Sequence, residues 1–316
     1  MTDTSELQGL VNDALALLTP YSRGSTLPTP GGTVPLESLL EQCREHVAKL
    51  GEQKPPPVRM IHHFACTGGT LISRALASQP NTMVLSEVDP FSQWFRPPGQ
   101  FAPTDLIFLS RLDRSPPEDK TIASMFHAAL RVLYDALTAQ GRHLLIRGHP
   151  HSHFCAPAPE SRPLFGALVQ QEFNTRQIIT VRHPLDSYLS LCLMNSATGP
   201  VSTLEGYASR YMMFLDSYPG VDVFQYESFV ETPDETCQEM ADCLELEFNP
   251  RWQDVLPTIR LSGDSGRRGR KISKRPRRGM LDTIQAELEQ GCDAYVDLCM
   301  RLGYNPDPAV SAYPSG

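Results

Sequence analysis

The feature that most constrains the fold is a short apolar segment followed at once by small residues and a helical pattern. It covers residues 59–81, with the sequence RMIHHFACTGGTLISRALASQPN. The apolar run at residues 60–65 predicts a buried strand, and a helix-like periodicity begins at Leu71. A strand, a glycine turn and a helix N-terminus together can hold a phosphate, because backbone N–H groups and the helix dipole face the turn.

The turn itself is CTGGT, residues 66–70. Gly68 and Gly69 allow close approach of an anion to the backbone, and Thr67 and Thr70 carry hydroxyl donors. A nucleoside-triphosphate loop has the pattern G-x-x-x-x-G-K-[ST], whose lysine contacts the outer phosphates. This turn contains no lysine and is followed by Leu71. Taken alone, it is compatible with an anion-binding loop and with a simple tight turn.

A second segment, residues 175–191, has the sequence TRQIITVRHPLDSYLSL. It predicts a buried strand with Arg182 at its carboxyl end, followed by a helix in which Asp186 can cap N–H groups and Ser190 lies two turns in. Ligands of open α/β sheets bind at the carboxyl ends of the strands. The alternative is that Arg182 only pairs with Asp186 and fixes the start of the helix.

Together the two segments resemble the sulfotransferases that use 3′-phosphoadenosine 5′-phosphosulfate (PAPS). Residues 64–70, FACTGGT, are similar to that family's 5′-phosphosulfate loop, and residues 182–190, RHPLDSYLS, to its 3′-phosphate motif. The resemblance implies that residues 66–71 contact the cofactor and that Arg182 and Ser190 hold its 3′-phosphate.

Three further segments resemble the same family, in the family's order. LLIRGH, residues 144–149, matches the strand that ends in the catalytic histidine, here His149, and VFQYE, residues 223–227, would place Tyr226 against adenine. LSGDSGRR, residues 261–268, is similar to the loop that closes over the 3′-phosphate end. The cofactor contacts that this last segment implies are Ser265, Gly266 and Arg267.

The chain departs from the family pattern at Cys66, where many cytosolic members have a lysine. That lysine neutralises the bridging oxygen as the sulfuryl group leaves, and cysteine cannot do so. The nearest basic candidates in the sequence are Arg147 and Arg74.

The general base is predicted to be His149, and Glu87 at the end of the second strand is the rival. An imidazole with an ordinary pKa near 6.5 suits proton abstraction. His149, His151 and His153 also raise a zinc alternative, since all three would face one side of an extended segment. A polar loop is the other interpretation of these histidines, and we expect no metal.

Composition limits the remaining possibilities. The chain has 316 residues, 41% of them hydrophobic, enough for one large core, and its net charge of −8 argues against a general nucleic-acid binder. No apolar run is long enough to span a membrane, and the acidic N-terminus is not typical of a secretory signal. The eight cysteines show no framework spacing, which predicts reduced thiols and a cytoplasmic location.

The chain is predicted to have two parts. Residues 1–56 form a helical extension and linker that packs on the core or joins two subunits into a homo-oligomer. Residues 57–316 form an α/β sulfotransferase domain, a three-layer parallel sheet of about five strands with helices on both faces. The predicted strands cover residues 59–65, 82–86, 143–146, 177–181 and 221–225.

Two segments have open interpretations. The basic run at residues 267–278, RRGRKISKRPRR, resembles a nucleic-acid or nuclear-import patch in composition. Beside the glycine-containing segment it fits a lid over an anionic cofactor better, and its surplus arginines could hold an acidic glycan. The proline-rich insert at residues 88–119 carries Phe91, Trp94, Phe95, Phe101 and Phe108, which either line the acceptor site or anchor the loop.

The predicted function is transfer of a sulfuryl group from PAPS to a hydroxyl or amine of a small-molecule or glycan acceptor, without a metal. The alternatives are a P-loop kinase-like phosphotransferase and a non-catalytic nucleotide-binding module.

Overall fold

The computed structural model describes residues 55–92, 105–157, 163–261, 272–310 and 312–313. In these ranges five strands form one sheet, in which every neighbouring pair is parallel and the order is β2-β3-β1-β4-β5. The strands are β1 (Val58–His63), β2 (Thr82–Val88), β3 (His143–Gly148), β4 (Thr175–Val181) and β5 (Asp222–Gln225).

The α-helices lie between and after the strands. They are α1 (Gly69–Ala77), α2 (Leu106–Arg111), α3 (Asp119–Ala139), α4 (His151–Phe154), α5 (Phe165–Gln170), α6 (Pro184–Leu193), α7 (Leu204–Asp216), α8 (Tyr226–Glu231), α9 (Pro233–Cys243), α10 (Trp252–Val255), α11 (Asp282–Gln290) and α12 (Asp293–Leu302). Short 3₁₀ turns cover Gly199–Val201 and Leu256–Thr258.

Strand β1 lies at the centre of the sheet and all six of its residues are buried. It pairs with β4 from Val58 opposite Thr175 to His63 opposite Thr180, and with β3 on its other side. A central strand of a parallel sheet is covered on both faces, which explains its nearly continuous apolar sequence.

The two faces of the sheet carry separate helical layers. Met60 and Ile146 point to the face covered by α3 and α5, and the same face continues over β4 to α6, α7 and α12. Ile61 and Leu145 point to the opposite face, where they pack with residues of α1 and α9. The predicted fold class, a parallel five-stranded sheet with helices on both faces, is confirmed.

The secondary structure differs from the prediction in three places. The insert contains a helix, α2, whose N-cap Asp105 accepts a hydrogen bond from the Phe108 N–H at 2.9 Å. The segment after β3 turns directly into α4 because Pro150 has helical backbone angles, so it is neither extended nor a loop. Helices α8, α10, α11 and α12 lie in segments for which the sequence analysis predicts no helix.

Several predictions fall on residues outside the described ranges. These are the N-terminal extension up to residue 54, the aromatic side chains Trp94, Phe95 and Phe101, and the cofactor contacts Ser265, Gly266 and Arg267. Among the described helices, none combines the length and the apolar content that crossing a membrane requires.

Candidate functional site

Polar side chains converge at the carboxyl ends of all five strands. His63 ends β1, and Glu87 and Arg147 are the penultimate residues of β2 and β3. Arg182 follows β4 directly, and Tyr226 follows β5. Since this edge is where open α/β sheets bind ligands, the fold places the predicted residues on the expected side of the sheet.

The loop between β1 and α1 is held in an unusual backbone conformation. Cys66 and Gly68 both have positive φ angles, 62° and 89°. Gly68 is the N-cap of α1, and its carbonyl accepts a hydrogen bond from the Leu71 N–H at 3.0 Å. The loop therefore ends in the N-terminus of a nine-residue helix, whose first N–H groups and dipole favour an anion.

The two glycines are required by neighbouring rings. A Cβ atom on Gly68 would lie 2.3 Å from the Tyr226 ring, and one on Gly69 would lie 2.4 Å from the His63 ring. Thr67 is fully buried and its hydroxyl donates to the Phe64 carbonyl at 2.9 Å, so it closes the turn and does not face outward. The loop is shaped by its packing against His63 and Tyr226.

Arg182 and Ser190 come together as their spacing predicts. Arg182 Nη1 lies 3.4 Å from Ser190 Oγ and 3.4 Å from the Cys66 carbonyl, and the guanidinium carbon lies 5.1 Å from the centre of the Tyr226 ring. The Ser190 hydroxyl donates to the Asp186 carbonyl at 2.8 Å, so it must turn to donate to a ligand. We call residues 66–70, Arg182, Ser190 and Tyr226 the anion side of the site.

Asp186 does not have either of the roles expected for it. Its carboxylate pairs with Arg277, at 3.1 Å from Nε, and not with Arg182. The helix is capped instead by His183, whose Nδ1 accepts from the Leu185 N–H at 3.2 Å. Burial first, and the nearby Arg277 charge second, lower the pKa of His183 to about 4. A neutral ring can keep the acceptor nitrogen that the cap needs.

Two cations in the described part of the basic run attach this segment to the rest of the domain. Lys274 pairs with Glu231, and Arg277 pairs with Asp186 and contacts the Pro308 carbonyl. These contacts fix the segment after residue 271 next to α6 and α8. Two of the four described cations of the run therefore have carboxylate partners and are not surplus charges for an acceptor.

A buried carboxylate supports the anion side from below. Glu227 accepts hydrogen bonds from the His183 N–H at 3.1 Å and the Tyr304 hydroxyl at 2.6 Å, and burial raises its pKa. This network joins the end of β4, the start of α8 and the C-terminal segment. Sequence reasoning missed it, since only the tyrosine of the sequence QYE was assigned a role.

The second group of site residues is built around a bulge in β2. Ser86 pairs with Arg147 and Val88 with Gly148, so Glu87 is an extra residue in the ladder. Its φ angle is 62°, a strained value for a residue with a side chain. Bulges beside active sites redirect side chains, and here the carboxylate contacts Arg147 and lies 3.6 Å from His149 Nε2.

Arg147 is the buried centre of this group and is only 4% exposed. Its guanidinium donates to His63 Nε2 at 2.9 and 3.1 Å and to Ser86 Oγ at 3.1 Å, and pairs with Glu87. These four contacts hold the guanidinium in place, and the guanidinium in turn positions the carboxylate of Glu87. The expectation that Arg147 itself faces the transferred group therefore does not fit its geometry.

Arg74 does not fit that expectation either. It lies in the last turn of α1, at the opposite end of the helix from the loop, and is 5% exposed. Its Nη2 donates to the Leu256 carbonyl at 2.9 Å. Among the described residues, a cation that does reach the loop is Arg182, at the Cys66 carbonyl.

His63 links the two groups. Burial first, and the Arg147 charge second, hold the pKa of His63 well below its ordinary value, so the ring is neutral and accepts from the guanidinium. The same ring fills the space next to Gly69. We call His63, Glu87, Arg147 and His149 the base side. The residue before His63, His62, is structural: its ring forms a hydrogen bond with Gln177 at 2.8 Å and stacks on Tyr218.

His149 is fixed by the end of the sheet and is 20% exposed. Its N–H donates to the Val88 carbonyl at 3.1 Å, and its ring stacks on that of His151 at 5.2 Å. The ligand atoms of Glu87, His149 and His151 lie within 4.8 Å of one another, so a metal-capable cluster exists, but with Glu87 in place of His153. His153 instead packs on Phe154 at 4.6 Å.

The two aromatic residues of the insert that the structure describes anchor the loop. Phe91 and Phe108 are 7% and 6% exposed. Phe91 belongs to the core around α3. Of the two interpretations of the insert, anchoring applies to these residues.

No protein-family model and no curated protein match the sequence. Solved structures that the chain is similar to are sulfotransferases, the family whose motifs the sequence resembles. The sulfotransferase domain from the curacin biosynthetic pathway is 17% identical with a TM-score of 0.45, covering 80% of this chain and 99% of that one. The sulfotransferase domain of the Synechococcus PCC 7002 olefin synthase is 18% identical with a TM-score of 0.46, covering 80% and 97%.

The sulfotransferase from Alicyclobacillus acidocaldarius is 16% identical with a TM-score of 0.37, covering 64% of this chain and 90% of that one. Similarity at these levels does not establish a function. The functional argument therefore depends on the residues of this chain.

Proposed function

We propose that this protein is a sulfotransferase that moves a sulfuryl group from PAPS to a hydroxyl or amine of a small-molecule or glycan acceptor. The observation that carries the proposal is the meeting of Arg182, Ser190 and the Cys66 carbonyl at 3.4 Å. It joins two separate sequence motifs into one site with two anion-binding elements. A donor with a 5′-phosphosulfate and a 3′-phosphate requires two such elements.

The residues of the anion side fit such a nucleotide. The helix N-terminus at Gly69 supplies N–H groups for the 5′ end, and the half-buried Arg182 supplies a charged fork for a second phosphate. The Tyr226 ring lies over Gly68 and beside the guanidinium, where it provides an aromatic surface between the two elements. When bound, the donor supplies an activated sulfuryl group.

The base side supplies the proton acceptor. His149 is predicted to take the proton of the acceptor hydroxyl, and the Glu87 carboxylate at 3.6 Å stabilises the imidazolium that forms. Arg147 holds that carboxylate in place and His63 holds Arg147. Positioning and charge stabilisation dominate in-line group transfer of this kind, so a rigid chain of buried contacts suits it.

Arg182 can also supply the positive charge that a lysine at position 66 would supply. Its Nη1 already reaches the carbonyl of Cys66, the residue that stands at that position. A cation there can offset negative charge that develops on the leaving group, together with the helix N-terminus. The Arg147 guanidinium is directed to His63, Ser86 and Glu87, and that of Arg74 to the Leu256 carbonyl.

The test is a transfer assay with radiolabelled PAPS and a panel of alcohols, phenols, amines and sugars, using the full chain. We expect labelled product with at least one acceptor class and strong loss of labelling in Arg182→Ala. The matched control is Arg176→Ala, which removes an arginine at the opposite end of β4, where it pairs with Glu245 at 2.6 Å. No product with any acceptor, together with no binding of 3′-phosphoadenosine 5′-phosphate, contradicts the proposal.

A further inference from the structure

We propose that Glu87, His149 and His151 form a binding site for a zinc ion, and that this ion inhibits the protein. The site differs from the three-histidine alternative suggested by the sequence, because His153 packs away on Phe154 and Glu87 replaces it. Metal binding itself does not depend on the proposed transferase function. The inhibitory consequence does depend on it.

The geometry of the three side chains suits a small divalent ion. Their ligand atoms lie within 4.8 Å of one another, and Glu87 Oε2 lies 3.6 Å from His149 Nε2. Zinc bound tetrahedrally at about 2.0–2.1 Å needs ligand atoms roughly 3.3–3.4 Å apart. The Glu87–His149 pair is already near that separation, and a side-chain rotation of His151 can bring in the third ligand.

The chemistry of the three ligands also favours zinc. Two imidazoles and one carboxylate are a known zinc ligand set that leaves a fourth position for water. Hard ions such as magnesium prefer sites made of oxygen ligands. The stacking of the His149 and His151 rings at 5.2 Å, with planes 26° apart, places the two imidazoles side by side.

The backbone pre-forms the cluster from two directions. Glu87 is turned toward the histidines by the β2 bulge and its positive φ angle of 62°. His149 is held by the hydrogen bond of its N–H to the Val88 carbonyl, and Pro150 turns the chain so that His151 follows on the same side. The second carboxylate oxygen, Oε1, is fixed by Arg147. Supports of this type orient metal ligands.

The same guanidinium argues against a permanently bound metal. Arg147 places a positive charge next to the carboxylate that an incoming cation would share, which weakens binding of the ion. We therefore expect a reversible site and not a structural one. An ion here coordinates both His149 and Glu87, so neither candidate base remains able to take the acceptor proton.

The direct test is isothermal titration calorimetry, in which Zn²⁺ is added to chelator-treated full-length protein. We expect the wild type and His153→Ala to bind one zinc ion with the same affinity. His151→Ala should bind it at least about tenfold more weakly. His153→Ala is the matched control because it removes a neighbouring histidine outside the cluster. It also separates this site from binding by cysteines, which all three proteins retain.

Glu87→Gln is a second variant, with folding checked by circular dichroism because residue 87 is strained. Equal zinc affinity in wild type, His151→Ala and Glu87→Gln overturns the proposal. In the transfer assay, zinc should inhibit the wild type and His153→Ala at concentrations that leave His151→Ala several-fold less affected. If no transfer is detected with any acceptor, the calorimetric comparison still decides whether the metal site exists.

Discussion

The anion side and the base side lie at the same edge of the sheet but are built in different ways. On the anion side, Arg182 and Ser190 are eight residues apart on one strand-to-helix segment and meet at 3.4 Å. On the base side, His63, Glu87 and Arg147 come from three strands and meet through buried contacts. The first depends on local geometry and the second on register between strands, so mutations should affect them differently.

The largest expected effect is on the base side, in turnover. His149→Ala should lower turnover by a factor on the order of 10² to 10⁴, because the acceptor proton loses its base. Affinity for 3′-phosphoadenosine 5′-phosphate should be nearly unchanged, since the anion side is intact. Single-turnover kinetics and equilibrium binding of the nucleotide measure the two quantities separately.

Glu87→Gln is the decisive comparison for that assignment. If Glu87 only orients His149 and stabilises its charged form, its loss should cost at most about 10²-fold in turnover. Abolished turnover in Glu87→Gln combined with substantial turnover in His149→Ala would instead make the carboxylate the base.

The next effect is on the anion side, in binding. Arg182→Ala should weaken binding of 3′-phosphoadenosine 5′-phosphate by about 10- to 100-fold, since a charge-assisted pair contributes roughly 1.5–3 kcal/mol. Adenosine 5′-phosphate lacks the 3′-phosphate and should lose much less affinity. Calorimetry with both ligands tests this, with Arg176→Ala as the control, and an equal loss for both ligands contradicts the assignment of Arg182.

A third effect, on stability, tests whether the loop is shaped by its packing. Gly68→Ala and Gly141→Ala both place a Cβ at positive φ, 89° and 68°, which costs about 1–2 kcal/mol. Gly141 has no neighbour within 4 Å, whereas a Cβ on Gly68 meets the Tyr226 ring. Urea unfolding should therefore show a larger loss of unfolding free energy for Gly68→Ala than for Gly141→Ala.

The same measurement in a Tyr226→Ala background isolates the ring contact. There, Gly68→Ala should cost little more than Gly141→Ala does, because only the backbone strain remains. Equal costs for the two alanine substitutions in the unmodified protein would show that the ring yields and that its packing does not shape the loop.

The smallest expected effect is that of a chelator. Transfer activity should persist in excess chelator, because the loop lacks the lysine and hydroxyl pair that accompanies magnesium in nucleotide kinases. A rise in activity is compatible with an inhibitory zinc ion. Loss restored by magnesium would favour the kinase alternative, and loss restored by zinc would mean that the histidine cluster has a catalytic metal.

Much of the anion side could be predicted from the sequence. A buried strand followed by a helix fixes the distance between residues eight positions apart, so Arg182 and Ser190 had to be neighbours. The partner of Asp186 could not be predicted, because Arg277 lies 91 residues away and reaches it only through the path of the C-terminal segment. For the same reason the support of Glu227 by Tyr304 was missed.

By itself, the sequence determined the order of the five strands along the chain, the parallel sheet and the edge at which the polar side chains converge. Apolar periodicity and the spacing of glycines are local properties, and they are enough to define these features. The tertiary structure decided which polar groups meet. Register placed Arg147 beside His63, and a single extra residue in β2 turned Glu87 toward Arg147 and His149. Parallel strands pair across long crossover connections, so which of their residues meet depends on contacts between segments that are distant in the sequence.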